Sequence, residues 1–135
     1  MTTLQAVRTW FLASSVVSRL PGGLWTGIAP EGTARPYAVV NLVASVPRFN
    51  MSGCYYEADH VRFGVFADYA ETARSIGVDL MWAFERSDLS ASGYSVFAIR
   101  LISKNLIAEK REWLESASVW QQALDFRIYL NKSLS

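Results

Sequence analysis

The stretch IAPEGTARPYAVVNLVASV, residues 28–46, joins a cluster of turn residues to a run of strand formers. Pro30, Gly32 and Pro36 favour turns, and Pro36 also pushes the backbone of the residue before it towards an extended conformation. From Tyr37 the residues alternate, with the apolar set on one face: Ala38, Val40, Leu42, Ala44 and Val46. The pattern predicts a half-buried strand that begins at Tyr37, and it makes residues 29–37 the lead-in to that strand and not a ligand-binding loop.

Helices are predicted at two places around this strand. TTLQAVRTWFLASSVVSRL, residues 2–20, has apolar residues at helical spacing, a Thr2/Gln5 capping box and a Pro-Gly-Gly stop. A second helix follows a capping box at Asp68 and Glu71 and carries a stripe of apolar residues: Tyr69, Ala73, Ile76, Leu80, Ala83 and Phe84. We interpret the opposite, charged face of this helix as a solvated surface.

Four further segments have strand character. HVRFGVFAD, residues 60–68, alternates, and YSVFAIRLIS, residues 94–103, is apolar on both faces. LIAEKREWLES, residues 106–116, carries the charges of an exposed or edge strand, and VWQQALDFRIYL, residues 119–130, alternates cleanly. The predicted order is therefore α-β-β-α-β-β-β, with two helices against one mostly antiparallel sheet in a single α+β domain, residues 1–135.

Composition limits the classes of function. Hydrophobic residues make up 51% of the chain and charged residues 19%, so we expect some surface to be buried against partners. A net charge of +1 lacks the excess of cations that holds a phosphate backbone, which argues against direct nucleic-acid binding. Cys54 is the one cysteine, so no intrachain disulfide can form. No apolar run reaches the length of a membrane helix, and the chain is expected to be soluble and unprocessed.

Catalytic motifs are absent from the sequence. His60 is the one histidine, no metal-ligand spacing surrounds it, and it is expected to be a surface residue at the start of a strand. No nucleophile elbow and no glycine-rich phosphate loop is present. We therefore expect no catalytic residues, no cofactor and no metal. The alternative, a ligand-binding or enzymatic α+β domain, would place His60, Arg62 and Asp125 around a concave pocket.

The segment PRFNMSGCYYEAD, residues 47–59, is long for a hairpin connection and unusually aromatic. Two interpretations stay open. The flanking strands extend into the segment and its aromatic residues pack locally, or the segment is a flap that faces a partner.

Together, the N-terminal helix, LWTGIAPEGTARPYAVV (24–40), VRFGVFAD before an alanine-rich helix, and a final LDFRIYL resemble the tail-completion, or tail-terminator, family of long-tailed bacteriophages. The most distinctive part is Ala-Pro-x-Gly-x-x-x-Pro-Tyr before a valine-rich strand, and the resemblance covers nearly the whole chain. The insertion at residues 49–56 and the C-terminal tail are less typical of the family.

The resemblance implies a structural virion protein without enzymatic activity. The resemblance also implies a ring, in that family usually of six subunits, that caps the tail tube, ends the growth of the tube and docks to the head-tail connector. The implied partners are further copies of the chain, the tail tube protein and the connector or stopper protein, with DNA only passing through the lumen and no membrane. Assembly would take place in the host cytoplasm. Another neck protein, such as a head-tail joining component, is the main alternative.

The candidate interface residues are aromatic or apolar side chains without an obvious place in the core, because such residues are enriched at interface hot spots. They are Phe49, Met51, Tyr55, Tyr56 and Trp113. For Trp113 the alternative is a cap over the core beside Trp120.

Overall fold

The computed structural model describes residues 2–49, 55–87, 89, 94–110 and 118–132. Two α-helices, α1 (Thr3–Ala13) and α2 (Ala70–Glu85), and a 3₁₀ helix (Ser15–Arg19) pack with five strands: β1 (Leu24–Thr26), β2 (Tyr37–Phe49), β3 (Tyr55–Ala67), β4 (Tyr94–Lys110) and β5 (Ser118–Lys132). The α+β class with two helices and a five-stranded sheet is confirmed. In the described part of the chain, neither helix combines the length and the apolar character that crossing a membrane requires.

The five strands form one sheet in the order β1-β2-β3-β5-β4. Only β1 and β2 are parallel, and the other three pairs are antiparallel, as predicted for most of the sheet. Two details differ from the sequence-based boundaries. The short apolar piece before the turn cluster pairs as β1, and the segments predicted as two strands at 94–103 and 106–116 run together as β4 up to Lys110. Three strands therefore precede α2 and two follow it.

The N-terminal helix is shorter than predicted. Its capping box is confirmed, because the Thr2 side chain accepts from the Gln5 backbone and the Gln5 side chain accepts from the Thr2 backbone. The helix ends at Ser14, whose backbone is extended and whose hydroxyl donates to the Phe11 carbonyl at 2.6 Å. A serine hydroxyl that bonds the preceding turn competes with helix continuation, and the chain continues as the 3₁₀ helix. Ala13, the last residue of α1, is exposed.

The start of α2 is also different from the prediction. The N-cap is Tyr69, which makes no side-chain capping bond. Asp68, the predicted cap, instead forms an ion pair with Arg35 at 2.6 Å. Tyr69 is 73% exposed and does not belong to the buried stripe. In the rest of that stripe, Ala73, Ile76, Leu80 and Phe84 are buried, and Ala83 is partly buried against the core.

The core lies between the two helices and one face of the sheet. Four phenylalanines from four elements meet there: Phe11 of α1, Phe63 of β3, Phe84 of α2 and Phe126 of β5. Phe63 contacts the other three, with ring centroids 5.3–5.9 Å apart, and all four are fully buried. Aromatic pairs in these geometries add about 0.5–1.5 kcal/mol each beyond the burial of their area.

Helix α2 lies close against the sheet at Gly77. A Cβ at this position would lie 2.6 Å from Cγ of Gln122, a buried residue of β5. Glycine in a helix costs about 1 kcal/mol relative to alanine, so its presence here reflects the space that Gln122 takes.

We expect Gly77→Ala to lower the free energy of unfolding by about 1 kcal/mol, because overpacking costs about 1–3 kcal/mol and the gain in helix propensity offsets only part of it. In a Gln122→Ala background, which removes the obstructing Cγ, the same change should be neutral or stabilising. Urea unfolding of the two single variants and the double variant measures this coupling. Equal effects of Gly77→Ala in both backgrounds would contradict the proposed contact.

Candidate functional site

The face of the sheet that the helices do not cover carries a set of polar side chains on three adjacent strands. The pairing register places Arg62 of β3 opposite Asp125 of β5, and Asp125 opposite Ser103 of β4. Paired residues on neighbouring strands share a face, so these three side chains project from the same side of the sheet. Their neighbours in sequence, Phe63 and Phe126, point into the core on the other side.

Asp125 is the centre of this polar cluster. One carboxylate oxygen, Oδ1, lies 2.8 Å from His60 Nε2 and accepts from Arg62 Nε at 2.8 Å. The other oxygen, Oδ2, accepts from the Ser103 hydroxyl at 3.0 Å. Asp125 is only 6% exposed, whereas the Arg62 side chain is half exposed. The carboxylate is therefore buried with its hydrogen-bonding capacity met by side chains of two flanking strands.

The electrostatics of the cluster favour an ionised Asp125. Burial on its own would raise the pKa of this carboxyl, but hydrogen bonds from His60, Arg62 and Ser103, together with the charge of Arg62, outweigh it. The pKa of Asp125 is consequently held below its ordinary value. A carboxylate that is stabilised as the anion and bound to three donors holds strands together and is a poor general base.

The structure brings together the three residues that the ligand-binding alternative had grouped. A cleft of about 330 Å³ beside them is lined by Arg62 but not by His60 or Asp125. His60 was also expected at the start of a strand, and that was wrong. It lies in the interior of β3, opposite Arg127, because β3 begins five residues earlier than predicted.

We expect Asp125→Asn to destabilise the fold by about 1–2 kcal/mol at pH 7, since it weakens charge-assisted bonds whose arginine partner is half exposed. Because the folded-state pKa is depressed, this contribution is present above the unfolded pKa of about 4 and is lost as pH falls through the folded value. Urea unfolding should show a smaller difference in the free energy of unfolding between the wild type and Asp125→Asn at pH 3 than at pH 7. Asp79→Asn, at an exposed ion pair with Arg19, serves as the control and should cost less than about 1 kcal/mol.

The turn cluster of the sequence forms the connection between the parallel strands β1 and β2, and β2 begins at Tyr37 as predicted. Several local bonds hold this connection in place. Gly27 N donates to Asn41 Oδ1 at 2.8 Å, Gly22 N donates to the Pro36 carbonyl at 3.1 Å, and Arg35 pairs with Asp68. A Cβ on Gly22 would overlap the Ala34 carbonyl oxygen, at 1.8 Å, so the connection rests directly on that glycine.

The sequence-predicted interface residues lie mainly at one end of the sheet. Phe49 and Tyr55 pair with each other at the end of the β2–β3 hairpin, and Tyr56 is half-buried next to them. The strands therefore extend into the segment 47–59 from both sides, as the first of the two interpretations expected. Met51 and Trp113 lie outside the described residues.

Two exposed apolar surfaces were missed by the sequence analysis. The first, the α2 patch, consists of Val78 and Trp82, which lie one turn apart on α2, with Trp82 51% exposed and the Arg86 guanidinium 4.9 Å from its ring centroid. Trp82 also lines a cleft of about 310 Å³ between α2 and the 3₁₀ helix. An apolar i, i+4 pair outside the buried stripe was the signal in the sequence, but the charged residues around it suggested a solvated face.

The second surface, the β2 patch, lies on the part of β2 that β1 does not reach. β1 pairs only with Ala38–Val40, and beyond it Leu42, Val43 and Val46 are each more than 40% exposed. A register shift between Leu42 and Ala44 marks a bulge there, a feature that often re-aims side chains at sheet edges. The strict alternation in the sequence gave no indication of the bulge or of the short β1.

Residues 5–128 match the family model described as Tail completion protein gp17. The fold is similar to a chain in a solved structure titled "Virion of native gene transfer agent (GTA) particle", with a TM-score of 0.76 and 15% sequence identity, over 96% of this chain and 94% of that one. No curated protein matches the sequence significantly.

Proposed function

This chain belongs to the tail completion protein gp17 family, and from that membership we propose that it forms a homo-oligomeric ring, of six copies, that caps the tail tube. Membership makes it a structural protein of the tail or neck of the virion. The observation that carries the proposal is the match over residues 5–128, which spans nearly every helix and strand of the fold. The fold that it shares over 96% of its length with a chain of a virion particle supports the same conclusion.

The arrangement of the apolar surfaces supports a ring. The α2 patch and the β2 patch belong to different elements, one in the helical layer and the other at a sheet edge. A contact between two different patches leaves one of each free on every dimer, so further copies add until the assembly closes. We propose that the β2 patch of one copy packs on the α2 patch of the next.

Trp82 would be the anchor of this contact. It is a large aromatic side chain, half exposed, beside an arginine and at the mouth of a cleft, which are the usual properties of an interface hot spot. The exposed valines and leucine of the β2 patch supply the apolar surface that would cover it. Packing these groups together removes apolar surface from water, worth about 25 cal/mol per Å².

The proposed capping role rests on the family to which the chain belongs. In this proposal one face of the ring binds the last layer of the tail tube and ends its growth, and the other face docks to the head-tail connector. The proposed contact with these partners is the end of the β2–β3 pair, where Phe49, Tyr55 and Tyr56 lie. Met51 and Trp113 are retained as candidates for the same contact from the sequence alone.

We expect the purified protein to have the native mass of a ring. Six copies of the 15.1-kDa chain have a mass of about 91 kDa, which sedimentation or native mass spectrometry separates readily from a monomer. The copy number in the particle distinguishes a cap of the tail tube from another neck component. A chain that is monomeric both in solution and in the particle would contradict the proposal.

Trp82→Ala should reduce the ring content by at least about tenfold in equilibrium sedimentation, since hot-spot aromatic residues contribute about 2 kcal/mol or more to an interface. Its melting temperature should stay close to that of the wild type, because the side chain is half exposed in the isolated chain. Leu12→Ala is the matched control: Leu12 is 52% exposed, on α1 and outside both patches, and its truncation should leave the native mass unchanged.

Tyr55→Ala separates the ring contact from the contact with the tube. The residue lies at the first position of β3, beside the hairpin end, so its truncation should leave both the fold and the ring intact. We expect the variant ring to lose binding to preformed tail tubes in co-sedimentation. If Tyr55→Ala dissociates the ring instead, the hairpin end belongs to the contact between copies.

A further inference from the structure

Three positively charged or ionisable side chains stand in one row across the open face of the sheet. The register pairs His60 of β3 with Arg127 of β5, and Arg127 with Arg100 of β4. Adjacent strands lie about 4.8 Å apart, so the row spans about 10 Å. Arg100 and Arg127 are both exposed. The three residues are called the cationic row below.

The cationic row has no internal explanation in the described part of the chain. No carboxylate there lies within ion-pair distance of either Arg100 or Arg127. Asp125, in the next row, is already bound by His60, Arg62 and Ser103. Like charges placed directly opposite each other on neighbouring strands destabilise a sheet. The facing Arg100 and Arg127 therefore destabilise the isolated chain, and an external anion bound between them would remove this destabilisation.

We propose that the cationic row binds the phosphate backbone of duplex nucleic acid, without reading its sequence. Guanidinium groups present fixed pairs of N–H donors that match phosphate oxygens. The row lies on the face of a sheet, with Ala44, Ala98 and Ser103 as neighbours in the strand register, and its arginines are placed to contact phosphates and not base edges. This inference goes beyond the proposed ring and does not depend on it.

The surroundings of the row favour phosphate over an acidic protein surface. The centre of a protein interface is depleted in charged residues and enriched in exposed aromatic ones. Around the cationic row the described aromatic neighbour, Tyr129, is only partly exposed, the exposed apolar residues Val46 and Ile102 are single side chains on different strands, and the α2 patch lies in the helical layer. The net charge of +1 does not oppose the inference, because it averages this face with helices that carry Glu71, Asp79 and Glu85.

The test is the salt dependence of binding to a 30-base-pair duplex, measured by fluorescence anisotropy with the full chain. Two phosphate contacts per copy predict a loss of affinity of about tenfold per bound copy between 50 and 200 mM salt. Arg100→Gln/Arg127→Gln should abolish most of this dependence and weaken binding by a similar factor at 50 mM. The charge-retaining Arg100→Lys/Arg127→Lys variant should keep affinity within about threefold.

Two controls distinguish binding by the cationic row from a general effect of positive charge and from a loss of folding. Arg19→Gln/Arg74→Gln removes two positive charges from the helical side, where both residues pair with acids, and should leave duplex binding unchanged. The melting temperature of Arg100→Gln/Arg127→Gln should equal or exceed that of the wild type, because a like-charge pair is relieved. Native mass, measured in parallel, reports on the ring independently.

Four results would overturn the proposal. The first is no binding of the duplex by the wild type at 20 mM salt. The second is equal loss of affinity in the helical-side control. The third is a fall of several degrees in the melting temperature of Arg100→Gln/Arg127→Gln, which would give the arginines a structural role. The fourth is tighter binding of poly-glutamate than of the duplex at equal charge concentration, which would assign the row to an acidic protein surface.

Discussion

The packing of Phe63 against three other phenylalanines determines the rest of the structure. This ring in β3 contacts Phe11, Phe84 and Phe126, so one cluster joins both helices to the two central strands on one side of the sheet. Because both helices are held on that side, no layer of the described residues covers the other side. The open face, with its buried Asp125 cluster and exposed arginines, is a direct consequence of where the aromatic residues fall in the strand alternation.

In the part of the chain that the structure describes, the open face is stabilised without a second layer. Asp125 does this by binding donors from β3 and β4 on either side of β5 at 2.8–3.0 Å. Such a network replaces hydrophobic cover with polar bonds between strands, and it leaves a surface that stays compatible with water. The same alternation that buries Phe63 and Phe126 places Arg62 and Arg127 next to them in sequence and on the opposite side. The charge on this face is therefore a consequence of the registration that forms the core.

The sequence predicted the parts of the fold that depend on periodicity. The start of β2 at Tyr37, the buried stripe of α2 and the alternation of β5 are all confirmed, because hydrophobic spacing determines which side of an element is buried. The sequence-based prediction was wrong where a single side-chain bond decides between two local structures. The Ser14 hydroxyl ends α1, and the ion pair of Asp68 with Arg35 removes a predicted helix cap. The strand β1 was not predicted because its three residues form a strand only through their pairing with β2.

The same distinction applies to the candidate surfaces. His60, Arg62 and Asp125 could be grouped from the sequence because they alternate on two strands, but their register, and with it the alignment of Arg100 with Arg127, exists only in the folded sheet. Net charge could not reveal this face, because +1 is an average over the whole chain. The α2 patch lies in the helical layer, whereas Arg100 and Arg127, which have no ion-pair partner among the described residues, lie on the opposite face of the sheet. That separation lets copies of the chain contact each other through one set of surfaces while another stays open to a charged partner.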